Sequence, residues 1–268
     1  MSIFLGLGSN VGDRRAELGA AIAALEQSGV QIARVSPIVE SPALLPPAAP
    51  PEWNLPFLNL VLECQTEVGR ENLLARIKVI EKQRGRAAGD RWAPRPIDID
   101  ILLWNDDRNS DVKLTVPHPG ITERNFVLAP LLALAPSLVI PDGAGKTVLE
   151  HARALANHIP LWMGIVNLTP DSFSDGGEHA SSDSVEADVE RMWAAGAQII
   201  DFGAESTRPG ATPVTVAEEL ERLVPVLERV LAKYGPQRLR PLISVDTYHA
   251  ATAREALALG VDVINDVG

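Results

Sequence analysis

Residues 85–100 read GRAAGDRWAPRPIDID, and the two acids that end this stretch stand two residues apart in an apolar run typical of a β-strand. Residues i and i+2 of a strand share one face about 6.6 Å apart, so Asp98 and Asp100 repel each other by roughly 2–3 kcal/mol at an effective dielectric near 20. The pair therefore predicts a bound cation. Mg²⁺ fits because it prefers carboxylate oxygens and shares its coordination shell with waters and substrate phosphates.

The same stretch is rich in arginine. Arg86, Arg91 and Arg95 lie within it and Arg84 directly before it, all on the N-terminal side of the acids, and guanidinium groups bind phosphate oxygens through paired hydrogen bonds. Acids and arginines together predict a site for Mg²⁺ and a phosphorylated ligand. The alternative is a strand end with two solvated acids, preceded by a basic loop.

The composition indicates a globular protein with a sizeable core. The chain has 268 residues, of which 46% are hydrophobic, enough for two ordinary domains or one barrel. The net charge is −11, divided into −2 over residues 1–158 and −9 over residues 159–268. This balance argues against a general affinity for nucleic acid or for an anionic membrane.

Cysteine usage and the N-terminus bear on location. The single cysteine, Cys64, cannot form an internal disulfide, and its apolar neighbours indicate a small core residue in a reducing compartment. The opening SIFLGLGSN has neither the length nor the basic flank of a signal peptide, and no apolar run reaches about 18 residues. We therefore expect a cytoplasmic protein without a membrane span.

Residues 1–158 alternate between strands and helices in an order typical of an α+β sheet sandwich. Strands are predicted over residues 3–7, 31–41, 57–66, 97–104 and 114–116, and helices over 14–27, 71–84 and 126–135. Residues 42–56 contain six prolines, which predicts a loop long enough for a functional lid. A capping-box pattern at Thr147 predicts a helix over residues 146–158 that joins the two parts of the chain.

After Pro160 the pattern becomes that of buried parallel strands. Apolar runs over residues 161–168, 198–202, 241–245 and 261–264 alternate with helical segments at 185–195, 216–233 and 250–259. Such runs indicate a parallel sheet covered on both faces. An α/β barrel of the TIM type needs roughly 250 residues, so we expect an incomplete barrel of four βα units, and a chain truncated relative to a longer protein.

Two glycine-rich stretches fail as nucleotide-binding motifs. Residues 6–12, GLGSNVG, miss the GxGxxG spacing by one residue. Ile140 stands where a Walker A loop ending in Lys146 and Thr147 requires glycine. The second stretch is predicted to be a turn and a helix cap.

Several motifs of residues 1–158 resemble those of 6-hydroxymethyl-7,8-dihydropterin pyrophosphokinase. In the family's order they are LGLGSNVGDR, PFLNLV, IEKQRGR, RWAPRPIDIDIL and VPHPGITERNFVLAPL. The resemblance implies a ferredoxin-like α/β/α fold, two Mg²⁺ ions, and ATP as the co-substrate. It also implies the reaction, in which the pyrophosphoryl group of ATP passes to the hydroxymethyl oxygen of the pterin and AMP is released.

The resemblance also assigns roles to individual residues. The implied catalytic residues, of which the two acids bind Mg²⁺, are Arg86, Arg91, Arg95, Asp98 and Asp100. The implied nucleotide-site residues are Glu81, Trp92, His118 and Arg124, and the implied pterin contacts are Phe57, Asn59 and Phe126. Structural alternatives stand beside these roles: core packing for the two phenylalanines, a turn for His118, and for Glu81 a solvated acid or a partner of another side chain.

Residues 159–268 resemble the N-terminal part of dihydropteroate synthase. The motifs, again in order, are MGIVNLTPDSFSDGG, DFGAESTRPGA, ISVDTY and VINDVG. They imply Asn167 beside Mg²⁺ and pyrophosphate, Thr207 and Arg208 on the p-aminobenzoate side, and Asp246 and Asn265 in the pterin pocket. The family's later lysine and arginine/histidine pair have no counterparts, so we expect no synthase activity from this part, and a homodimer only through a completed barrel.

The sequence thus predicts a folate-biosynthesis fusion with domains at residues 1–158 and 159–268. Its expected partners are small molecules, namely ATP, hydroxymethyldihydropterin and p-aminobenzoate, with no nucleic acid and no membrane. One rival is a non-catalytic pterin-binding or regulatory module. Another, for the second part alone, is a pterin-dependent methyltransferase barrel, against which the STRPG run at residues 206–210 favours the synthase.

Overall fold

The structure is a computed structural model that describes residues 3–86, 92–105, 107–110, 114–168, 182–205 and 213–266. The chain divides into two compact units, Met1–Pro160 and Leu161–Gly268. Within the described ranges, no helix has both the length and the apolar character needed to cross a membrane.

The first unit combines short and long strands with four helices over its described residues. The strands are β1 (Ile3–Ser9), β2 (Gln31–Val35), β3 (Val39–Ser41), β4 (Phe57–Gln65), β5 (Asp98–Trp104), β6 (Asn109–Ser110) and β7 (Thr115–Val116). The helices are α1 (Arg14–Gln27), α2 (Arg70–Gln83), α3 (Asn125–Leu134) and α4 (Val148–Ala154), with a 3₁₀ turn at Pro51–Trp53. The predicted strands and helices of this part are confirmed except where noted below.

The main sheet of the first unit is antiparallel, with strand order β2-β4-β1-β5 and β3 paired to the start of β4. This β-α-β-β-α-β order places β1 at the centre, as in split βαβ folds. On one face, α3 and α4 pack in a cluster with Phe4, Val61 and Leu102. Helices α1 and α2 contact the same strands and contribute nothing to that cluster, so helices cover both faces of the sheet.

The predicted strand over residues 31–41 is interrupted at Ser36 and Pro37. The Ser36 amide donates to the Val61 carbonyl at 2.9 Å, and the Val61 amide donates to Ser36 Oγ at 2.8 Å. A side chain therefore replaces one backbone acceptor, and Pro37 has no N–H to offer a neighbouring strand. The strand resumes as β3, which pairs with the start of β4.

The predicted helix over residues 146–158 is wrong in its length. Its start is confirmed, because Thr147 and Glu150 form the capping box at the head of α4, but the helix ends at Ala154 and Leu155 is extended. The last turn is tightened, because the Leu155 amide donates to the Ala152 carbonyl, three residues back, at 3.2 Å. The connection between the units is accordingly not a single helix.

The second unit is a parallel sheet with helical crossovers. Its strands are β8 (Met163–Asn167), β9 (Ile199–Gly203), β10 (Leu242–Asp246) and β11 (Val263–Asn265), in the order β11-β10-β9-β8. Its helices are α5 (Ser182–Ala194), α6 (Val216–Tyr234) and α7 (Ala250–Leu259). The parallel sheet is confirmed, whereas four complete βα units are not: over the described residues, three helices accompany the four strands, because β11 is the last element.

Candidate active site

Three neighbouring strands of the first unit surround one cavity. Asn59 on β4, Gly8 on β1 and Asp98 on β5 lie opposite one another in register, and the next row of the same face holds Gly6 and Asp100. All of them line the cavity. Because neighbouring strands lie about 4.8 Å apart, Asn59 and Asp98 stand about 10 Å apart across a glycine. The cavity therefore has two ends: an amide pole, formed by Asn59, and an acidic pole, formed by Asp98 and Asp100.

The two glycines form the floor between these poles. A Cβ atom on Gly8 would lie 3.1 Å from Asn59 Oδ1 and 3.4 Å from a ring carbon of Phe57, and one on Gly6 would lie 3.2 Å from Leu102 Cδ1. Side chains at these two positions would push on the residues that line the site. The stretch dismissed above as a failed dinucleotide motif thus shapes the cavity instead.

Asp98 is held between two arginines. Arg86 donates from Nη1 to Asp98 Oδ1, and Arg95 donates from Nη1 to Asp98 Oδ2 at 3.1 Å. The positive charge predicted beside the acids is therefore present, in the form of guanidinium groups. The pKa of Arg86 is raised: burial lowers it, but the carboxylates of Asp98 and Glu81 outweigh that effect.

Glu81 lies behind the cavity wall rather than in it. Its side chain is only 2% exposed, and it accepts from Arg86 Nη1, from the Ile99 amide at 2.9 Å and from Lys78 Nζ at 2.8 Å. The solvated alternative is thus wrong, and direct contact with a nucleotide does not fit, because its oxygens are occupied by protein donors. Glu81 positions Arg86.

Asp100 is the acid most perturbed by its surroundings. Burial and, second to it, the charge of Asp98 raise its pKa to about 6, against the opposing effect of Lys78. Its carboxylate still opens towards the cavity, and Oδ2 lies 3.9 Å from His118 Nε2. His118 is fixed through Nδ1, which accepts from the Gly120 amide at 3.1 Å.

The donor set suits a divalent cation that is shared with a ligand. Over the described residues, no group of three or more His, Cys, Asp or Glu side chains could hold a metal by itself. Two carboxylates on one strand face, one of them with a raised pKa, match the way Mg²⁺ is bound through one or two carboxylates plus phosphates and waters. Asp98 and Asp100 are the residues that would hold it.

Asn10 ties together the segments that approach the cavity. Its side chain is buried, and Oδ1 accepts from the Arg95 amide at 2.7 Å while Nδ2 donates to the Leu55 carbonyl at 3.3 Å. The Asn10 amide also donates to the Arg95 carbonyl at 3.2 Å. One side chain therefore fixes both the backbone of Arg95 and the end of the proline-rich loop.

The amide pole is equally well ordered. Asn59 is buried and donates from Nδ2 to Ser41 Oγ at 3.0 Å, which sets the orientation of its amide. Phe57, Phe126 and Trp92 line the same cavity, so the two phenylalanines are not simply core residues. An amide between aromatic rings can recognise a flat heterocycle that carries both donors and acceptors.

In the second unit, polar side chains meet at the carboxyl ends of the strands. Asn167, Asp246 and Asn265 lie in one register row with Gly203. Burial raises the pKa of Asp246, and the neighbouring Asp201 carboxylate raises it further. Asp201 was not predicted; it is buried and accepts from Asn265 Nδ2 at 3.0 Å.

Comparison with known families matches both units. Residues 4–136 match the family model of 7,8-dihydro-6-hydroxymethylpterin-pyrophosphokinase, and residues 163–268 match that of the pterin binding enzymes.

The chain joins a pyrophosphokinase domain to a pterin-binding domain.

Several similar proteins are named folate synthesis bifunctional proteins. The mitochondrial folate synthesis bifunctional protein of Arabidopsis thaliana is 38% identical over 99% of this chain and 52% of its own length. The folate synthesis bifunctional protein of Chlamydia trachomatis is 37% identical over 99% of this chain and 63% of its own length. The chain thus spans about half to two thirds of these relatives. A structure of Xanthomonas albilineans dihydropteroate synthase with 4-aminobenzoic acid is 50% identical, with a TM-score of 0.36, over 40% of this chain and 38% of that one.

The pyrophosphokinase domain brings most of its predicted site residues to one cavity. Those lining it are Phe57, Asn59, Arg86, Trp92, Arg95, Asp98, Asp100, His118, Arg124 and Phe126. Glu81 lies behind them, while Arg91 and, in the pterin-binding domain, Thr207 and Arg208 lie outside the described residues. Sequence reasoning missed Gly8, Asn10, Ser41 and Lys78. The glycine spacing in LGLGSN was the available signal for Gly8, since alternate glycines share one face of a strand.

Replacing Gly8 with alanine is expected to weaken binding at the amide pole. The added Cβ must displace Asn59 Oδ1 and the ring of Phe57, so we expect the pterin KM of the pyrophosphokinase domain to rise about 3- to 10-fold with a smaller change in the ATP KM. Gly69→Ala is the matched control, because a Cβ there meets nothing within 4 Å. Equal pterin KM values for Gly8→Ala and the wild type would show that Gly8 does not shape the part of the cavity that binds the pterin.

Proposed function

We propose that the pyrophosphokinase domain acts in folate biosynthesis by transferring the pyrophosphoryl group of ATP to 6-hydroxymethyl-7,8-dihydropterin. The observation that carries this proposal is the row Asn59–Gly8–Asp98, which sets a ring-recognising amide about 10 Å from a pair of acids and their arginines. A non-catalytic pterin-binding module would need only the amide pole.

The acidic pole supplies what phosphoryl-type transfer requires, which is positioning and charge neutralisation. Asp98 and Asp100 would hold two Mg²⁺ ions, whose charge, when they are bound, neutralises the phosphate chain. Arg86 carries five N–H donors, so its contact with Asp98 leaves capacity for phosphate oxygens. Glu81 keeps that guanidinium in place from behind the wall.

At the amide pole, Asn59 would bind the amide edge of the pterin while Phe57 and Phe126 stack on its ring. Held this way, the hydroxymethyl oxygen would face the β-phosphorus of ATP. A bond forms between these two atoms, and the bond from that phosphorus to the α-phosphate's bridging oxygen breaks. AMP leaves with the bridging oxygen, and the hydroxyl proton passes to solvent.

For the pterin-binding domain we propose the start of an α/β barrel of the dihydropteroate synthase type, with Asn167, Asp246 and Asn265 at its pterin end. The folate-synthesis names of the similar proteins favour this over a methyltransferase barrel. These names give no support to the expectation of an inactive second domain. A cytoplasmic location, a homodimer, and roles for Arg91, Thr207 and Arg208 stay predictions.

The direct test of the proposed function is an assay of AMP. Purified chain, ATP, Mg²⁺ and hydroxymethyldihydropterin should yield AMP and the pterin pyrophosphate in equal amounts, and chelation of Mg²⁺ should stop the reaction. Pterin binding that is independent of ATP, without AMP, would favour the non-catalytic module instead.

Replacing Arg95 with alanine is expected to slow turnover about 100-fold and to change pterin affinity little. Its side chain contacts Asp98 at the acidic pole, whereas its backbone contacts to Asn10 survive the substitution. Steady-state kcat, measured beside pterin binding by calorimetry, checks this expectation. An unaltered kcat would remove Arg95 from the mechanism.

A further inference from the structure

Lys78 lies on α2, one helical turn before Glu81, and lines the same cavity as Asp98 and Asp100. Its Nζ contacts Glu81 Oε2 at 2.8 Å, and its side chain is 53% exposed. The pyrophosphokinase resemblance assigned it no role. Lys78 therefore places a half-exposed ammonium group beside the acidic pole.

Glu81 does not depend on Lys78. Its other oxygen, Oε1, accepts from both Arg86 and the Ile99 amide. The ammonium group of Lys78 is on the half-exposed side of this ion pair, so water can take the place of Glu81 as its partner. Lys78 can therefore leave Glu81 at a small energetic cost, because two protein donors remain on that carboxylate.

The cations of the cavity are unevenly spread. Arg86 and Arg95 both contact Asp98. Lys78 lines the cavity beside Asp100, and its charge lowers the pKa of that acid more than those of Arg124 and Arg86 do. A phosphate chain that reaches from one acid to the other would thus meet Arg86 and Arg95 at the Asp98 end, and Lys78 together with Arg124 at the Asp100 end.

We propose that Lys78 moves from Glu81 to a non-bridging phosphate oxygen of the bound nucleotide, on the Asp100 side of the cavity. Its ammonium group is a compact charge with three rotatable donors, which suits an anion that arrives and departs in each cycle. This inference rests on the proposed function, because it presumes a nucleotide in this cavity.

The test is the binding of Mg²⁺ and α,β-methylene ATP, an analogue that cannot release AMP, measured by calorimetry on the whole chain. Lys78→Met, which keeps most of the aliphatic stem, should weaken binding about 5- to 20-fold and lower the dependence of affinity on salt. Lys78→Arg should recover part of the loss. Lys82→Met is the matched control, since Lys82 is exposed on the same helix and does not line the cavity, and it should change affinity less than about 2-fold.

Two further measurements separate a nucleotide role from a structural one. Lys78→Met should keep the thermal midpoint within about 2 °C of the wild type and leave pterin affinity without nucleotide unchanged. Wild-type affinity for the analogue in Lys78→Met would overturn the inference while leaving the proposed function intact, and so would an equal loss of pterin affinity. Absence of analogue binding by the wild-type chain would overturn both.

Discussion

Replacing Asp98 with alanine is expected to lower kcat/KM for AMP formation by at least about 1,000-fold. The substitution removes a proposed Mg²⁺ ligand and also the carboxylate that Arg86 and Arg95 both contact. Both the metal ions and the two guanidinium groups would therefore lose their position. Pterin affinity should change far less, because Asn59 lies across the glycine floor, about 10 Å away. Quantifying AMP by chromatography under saturating ATP, with pterin binding measured in parallel, checks both expectations.

Asp107→Ala is the matched control for this loss. Asp107 follows β5, and its side chain is 57% exposed, with Oδ2 3.8 Å from Arg70 Nη1. It does not line the cavity. Its replacement should leave AMP formation within about 2-fold of wild type, since exposed ion pairs contribute little. A variant at Asp98 that keeps a tenth or more of wild-type activity would mean that this carboxylate is not part of the chemistry.

Replacing Asp100 with asparagine is expected to have opposite effects on activity and on stability. AMP formation should fall at least about 100-fold, because a neutral amide binds Mg²⁺ poorly. Without Mg²⁺ at pH 7.5, however, the thermal midpoint should rise by about 2–4 °C, after allowance for solvent screening of the partly open carboxylate. The gain follows from removing a charge that burial and Asp98 disfavour.

The stability gain expected for Asp100→Asn depends on pH. The pKa of Asp100 is about 6 in the folded chain against an ordinary value of 3.8, so the folded state binds its proton more tightly than the unfolded state does. This group therefore contributes stability below about pH 4, and the contribution is lost as the pH rises through 6. The advantage of Asp100→Asn should accordingly shrink towards zero as the pH falls from 7.5 to 4.5.

Differential scanning calorimetry at these two pH values, with and without Mg²⁺, provides the measurement. Saturating Mg²⁺ should stabilise the wild type at pH 7.5 and affect the variant much less, because a ligand stabilises only the fold that binds it. A variant that is less stable than wild type at pH 7.5 without Mg²⁺ would show that the repulsion between the two acids is already relieved by the protein.

Periodicity was enough to predict most of the secondary structure. The helices α1, α2 and α6 match their predicted ranges to within a residue or two, because apolar residues at helical spacing indicate an amphipathic helix. The failures are local: Ser36 substitutes its side chain for a backbone partner, and α4 ends at Ala154, where the Leu155 amide donates to the Ala152 carbonyl and Leu155 is extended. Neither effect is visible in hydrophobic spacing.

The candidate site was predictable where its residues adjoin in sequence. Asp98 and Asp100 share a strand face because of their spacing alone, and Arg86 and Arg95 contact Asp98. Arg84, which the sequence also placed beside the acids, pairs with Glu17 instead. Asn10 and Ser41 escaped prediction because their partners, Arg95 and Asn59, are 85 and 18 residues away. Lys78 was missed because a lysine on an amphipathic helix is usually solvated, and only the packing of α2 against β5 brings it to the cavity.

We propose that Asp98 and Asp100 bind the divalent ions that hold the nucleotide's phosphates. A crystal structure of the chain with Mg²⁺, α,β-methylene ATP and hydroxymethyldihydropterin is the decisive experiment. We expect metal ions within about 2.0–2.2 Å of carboxylate oxygens of both aspartates and of phosphate oxygens, with the pterin at Asn59. Nucleotide and pterin bound in the cavity while both carboxylates contact only protein and water would contradict it.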